Sequence, residues 1–72
     1  MSIQDFSDNT KANIEIALDR ACSLLPGEKA SSHETRAYIA QQILDAAHNG
    51  HRTLTKLTEA GRQAVVDLRS AH

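Results

Sequence analysis

Cysteine occurs once in these 72 residues, tryptophan not at all, and phenylalanine, tyrosine and proline once each. A lone Cys22 excludes an internal disulfide, and no Cys/His spacing of the structural-zinc type is present. With only Phe6 and Tyr38 as aromatics, any core has to be built from Leu, Ile, Val and many alanines. No window approaches the roughly 20 apolar residues that span a bilayer. The start, MSIQDFSDNT, has no basic stretch followed by an apolar run, so the expected location is cytoplasmic. A net charge of −1 argues against nucleic acid or a membrane surface as an obvious partner. Strand-like alternation, internal repeats and low-complexity tracts are also missing.

What remains is helical periodicity. Ser31–Gly50 reads as a complete helix: Ser31 and Glu34 form a capping box at its start, and Asn49-Gly50 supplies the residue of positive φ at its end. At about 100° per residue, Ala46, Ile39, Ile43, Ala47, Ala40 and Leu44 share one broad face, with Arg36 at its edge. An arc that wide suits two partner helices, so this element is expected in the middle of three.

Before it, Asp8 is the expected N-cap of a helix running to Leu25. Its face comprises Ile14, Ala17, Leu18, Ala21, Cys22, Leu24 and Leu25, and Pro26-Gly27 ends it. After it, Thr53 caps a helix over residues 54–70 with Leu54, Leu57, Ala60, Gly61, Ala64, Val65 and Leu68 on one stripe. The expected fold is therefore all-α, a three-helix unit with helices near 8–25, 32–49 and 54–70. Residues 1–7 form an N-terminal arm and 8–72 a single helical domain, with Ile3 and Phe6 spaced to dock.

Domains this small bury a low fraction of their surface, and alanine contributes little apolar area. Without a disulfide or metal, self-association is the stabilising device left, and a homodimer is expected. Charge distribution agrees with this. Residues 1–34 carry six acids against three bases, a net −3, and residues 35–72 carry five bases against three acids, a net +2. Ile16, Tyr38 and Val66 fall on the outer sides of their helices and are candidate interface residues. Gly61 joins them as part of a flat patch, with Ala60 and Ala64, where another backbone can come close; a hinge or ligand contact is the alternative.

Other candidate chemistry is sparse. Asp45, His48 and His51 recur every three residues and could offer a carboxylate and two nitrogens to a metal, but His51 lies beyond the helix stop. A capping histidine and a loop histidine are the preferred reading, with no metal and no cofactor. Arg20 is near Cys22 in sequence but on a different face, so Cys22 reads as a structural thiol. No Ser/His/Asp grouping, phosphate-binding glycine loop or carboxylate pair stands in a catalytic context, and no enzyme is expected.

The run Leu57-Thr58-Glu59-Ala60-Gly61-Arg62, followed by Gln63-Ala64-Val65, resembles the strand-to-helix turn after the wing of winged helix-turn-helix regulators. The likeness covers nine residues and lacks the wing strands. More broadly, Ala-Cys-Ser-Leu, His-Glu-Thr-Arg-x-Tyr-Ile-Ala, Leu-Asp-Ala-Ala-x-x-Gly and Thr-Leu-x-x-Leu together resemble short helical bacterial proteins with no assigned function. That resemblance implies a bacterial, cytosolic chain and carries no functional residue. The expected function is a non-enzymatic oligomerising interaction or regulatory module that offers a helical face to a protein partner. The alternative is a small nucleic-acid-binding regulator in which the second and third helices act as a helix-turn-helix-like pair, with Arg52, Lys56, Arg62 and Arg69 as its basic surface.

Overall fold

The computed structural model describes residues 6–25, 27 and 32–70. These form three helices, α1 (Asp8–Cys22), α2 (His33–His48) and α3 (Leu54–Ser70), and each packs on the other two. Contacts between α1 and α3 advance together along the two chains: Asn13 bonds to Arg52 just before α3, and Ala17 and Ala21 lie beside Gly61. These two helices are therefore parallel. α2 runs against both, with Ile43 beside Gly61 and His48 beside Phe6.

The caps account for the helix limits and correct two expectations. α1 is capped by Ser7 and not by Asp8: the Thr10 amide donates to Ser7 Oγ at 3.1 Å, and Asp8 sits in the first turn, where a carboxylate favours the helix dipole. α2 is capped by Ser32, which accepts from the Thr35 amide at 3.5 Å. The expected Ser31–Glu34 box is thus displaced by one residue, because either serine can cap. With Ser32 in that role Glu34 falls one position short of reaching back, and Ser31 lies outside the described residues. Thr53 caps α3 as expected, accepting from the Lys56 amide at 3.3 Å.

α1 ends at Cys22, three residues earlier than expected. Leu24 and Leu25 donate to the carbonyls of Ala21 and Cys22, an i to i−3 pattern that tightens the turn. The tightening rotates Leu24, expected on the core face, out to 52 % exposure, while Leu25 stays buried. Pro26 itself lies outside the described residues. At the far end of α2, the Gly50 amide donates to Ala47 O and the His51 amide to Ala46 O, a Schellman arrangement with Gly50 at φ +99°. Only a residue without Cβ takes that conformation cheaply.

The core is small. Its buried apolar residues are Phe6, Ile14, Ala17, Ala21, Cys22, Leu25, Ile39, Ile43, Ala47, Leu57, Ala64 and Val65, of which four are alanines. Ile39, Ile43 and Leu57 are its largest fully enclosed side chains, each contributing about 1.5–3 kcal/mol on burial. Leu18, Leu44, Ala46 and Leu68 pack on its margin. Alanine and glycine occupy the places where helix axes come close, which brings backbones together at the expense of buried volume.

Gly61 is the tightest of these places. A Cβ there would stand 3.0 Å from Ala21 Cβ, 3.2 Å from Ile43 Cδ1 and 3.4 Å from the Ala17 carbonyl oxygen. Those neighbours belong to both other helices, so a larger side chain forces all three apart. Gly61→Leu is expected to destabilise the fold by about 1–3 kcal/mol or more through overpacking, measured as a lower urea midpoint by circular dichroism. A midpoint equal to or above the parent's would show that the contact is slack.

Candidate functional site

Phe6, placed in the N-terminal arm by its position in the chain, belongs to the fold and is buried. Its ring lies 4.9 Å from the His48 ring at a tilt of 38°, and the Arg52 guanidinium stands 5.1 Å over its face. Arg52 Nε also donates to Ala47 O at 3.3 Å, and its own carbonyl accepts from Asn13 Nδ2 at 3.2 Å. One residue after α2 therefore satisfies an end carbonyl of that helix, stacks on the arm and holds α1. Ser7, next to Phe6, is the α1 cap, so arm docking and helix start are set together. Residues 1–5, including Ile3, lie outside the described residues.

This arrangement redistributes the metal candidates. His48 turns toward Phe6, and its Nε2 is buried with no hydrogen-bond partner among the described residues. The Asp45 carboxylate accepts from Gln41 Nε2 at 2.9 Å on the outer surface of α2. His51 is exposed in the turn. Among the described residues no group of three or more His, Cys, Asp or Glu side chains is placed to hold a metal ion. Cys22 is free and buried at the end of α1, among core side chains.

The four candidate interface residues separate. Ile16, Tyr38 and Val66 are exposed at 40 %, 37 % and 42 %, as their positions on the helices required. Gly61 is different: it is buried, and the flat patch it makes receives α1 of its own chain. The three exposed residues also point in different directions. Ile16 and Val66 each sit about 150° from the core line of α1 and α3, which are neighbours. Tyr38 sits about 140° from the core line of α2 and so projects from a different helix.

The basic surface needed for nucleic acid is divided too. Arg52 is engaged with Phe6 and Ala47. Arg62 makes a two-point ion pair with Glu59 on its own helix, which holds the Glu59 carboxyl below the ordinary carboxylate range and raises the guanidinium, chiefly through the side-chain hydrogen bonds. Lys56 and Arg69 are separated by about 140° around α3. The Leu57–Val65 run that resembles a wing-to-helix turn lies wholly within α3, preceded by the helical residues Leu54–Lys56, and no strand is present among the described residues. Among the described residues no helix is long and apolar enough to cross a membrane.

Comparison of the chain with protein-family models, curated proteins and solved structures returns no match. The reading of the site rests on its geometry.

Phe6 was visible in the sequence as a possible docking residue; its partners were not, because a stack involving Arg52 and His48 depends on how the arm folds back. Removing the ring leaves a cavity between arm and bundle. Phe6→Ala is expected to cost about 3–5 kcal/mol, a large part of the stability of a domain this size, seen as loss of helical signal at 25 °C or a strongly lowered melting temperature. A melting temperature within a degree or two of the parent's would mean the arm is dispensable.

Proposed function

We propose that this chain is a non-enzymatic interaction module that works by self-association, the homodimer being its smallest assembly. The observation that carries the reading is the size of the core among the described residues, in which the largest fully enclosed side chains are Ile39, Ile43 and Leu57 and the close approach at Gly61 is made to Ala17 and Ala21. A single chain of this kind buries little apolar area, and joining a second copy is the general remedy. Exposed Ile16 and Val66, on neighbouring helices, provide apolar surface for such a contact. The titratable and nucleophilic groups support the non-enzymatic part of the reading: Cys22 is enclosed, His48 is committed to Phe6, and Glu59 is committed to Arg62.

The test is solution mass. Light scattering over a dilution series is expected to give a mass of at least two chains at high concentration. Ile16→Glu is expected to shift the association to roughly tenfold higher concentration or beyond, since burying an unpaired charge costs a few kcal/mol, with helicity retained. A parent that stays monomeric throughout, or an Ile16→Glu variant that associates like the parent, contradicts the proposal.

A further inference from the structure

Around α1 and its seam with α3 the exposed charges fall in two strips of opposite sign, and their arrangement specifies how two copies would meet. On α1 the flank toward α3 is fixed by Ala17, whose carbonyl oxygen approaches Gly61, and by Asn13, which bonds to Arg52. Continuing round the helix from that flank brings up Arg20 and then Ile16, both exposed. Because α1 and α3 are parallel, the matching flank of α3 is reached in the opposite rotational sense, and it carries Arg69 and Arg62, with Val66 beyond. The α1–α3 side of the bundle is therefore cationic between two apolar crests. The other flank of α1, toward α2, carries Asp8, Glu15 and Asp19, all exposed.

Spacing along the two strips agrees. Arg62 and Arg69 are two helical turns apart, about 10 Å, and so are Asp8 and Glu15. Asp8 makes one long ion pair with Lys11 at 3.9 Å and Arg62 is shared with Glu59, whereas Arg20, Arg69, Glu15 and Asp19 have no ion pair among the described residues. Two cationic sides facing each other would repel, so a two-fold contact through the α1–α3 side is disfavoured.

We infer that the self-association proposed above joins unlike faces: the cationic α1–α3 side of one copy receives the acidic flank of α1 from a second. Ile16, on the crest of α1 between the two strips, borders both contacts. A contact between unlike faces leaves each of them free at one end of a pair, so assembly continues past the dimer as concentration rises.

Complementary charge reversal tests this, and it rests on the self-association reading without being the same claim. One variant, Arg20→Glu with Arg69→Glu, keeps the acidic flank. The other, Glu15→Arg with Asp19→Arg, keeps the cationic side. Each alone is expected to be monomeric by light scattering, at concentrations where the parent assembles, with helicity checked on the same samples. Their equimolar mixture is expected to associate again, because the acidic flank kept by one meets the cationic side kept by the other and the two reversed faces are complementary as well. A parent of fixed dimeric mass, variants that associate like the parent, or a mixture that stays monomeric overturns the unlike-face contact while leaving self-association standing. A parent monomeric at every concentration removes both claims. If a variant loses helicity, the parent alone decides: its mass is expected to fall as sodium chloride is raised from 0.05 to 0.5 M, and a mass that holds or grows overturns the inference.

Discussion

The three helices meet where α3 has no side chain. Gly61 lets the α1 backbone and the tip of Ile43 come within contact distance of the same point, with Ala17 and Ala21 beside it, and Ala47 and Ala64 are buried with them in the core. Close approach and a large core are competing demands in a chain of this length. Each alanine that brings two helices together withdraws the apolar area that a leucine would have buried. The fold is thus narrow, and the exposed Ile16 and Val66 hold apolar surface that the core did not take up.

A second consequence is the importance of the chain just outside the helices. The bundle recruits Phe6, from before α1, and Leu25, from after it, as buried residues. Phe6 is held between an imidazole at the end of α2 and a guanidinium in the turn before α3. That turn is itself fixed by the Schellman bonds around Gly50 and by the Arg52 bond to Ala47. One end of the bundle is therefore closed by a polar and aromatic cluster where aliphatic side chains run out.

Much of this was legible in the residues. Helical periodicity located all three helices, Asn49-Gly50 marked a stop, Thr53 marked a start, and the outward positions of Ile16, Tyr38 and Val66 followed from rotation about the helix axis. The local readings that missed did so where two residues could serve equally, as with Ser31 and Ser32 or Ser7 and Asp8. Leu24 was misplaced because a tightened last turn breaks the 100° rule just where it was applied. The partners of Phe6 and the division of charge between the flanks of α1 were not legible. Both depend on which side of a helix faces which neighbour, information that periodicity along a single helix does not contain.

The central claim is that one chain encloses too little apolar surface to be stable alone. The concentration dependence of thermal unfolding, followed by circular dichroism on the unmodified protein, tests it most directly, because association with a second folded copy raises the melting temperature by mass action. The account predicts a melting temperature that climbs by several degrees over a hundredfold increase in protein concentration. A melting temperature independent of concentration, in a chain fully helical at its most dilute, would contradict it.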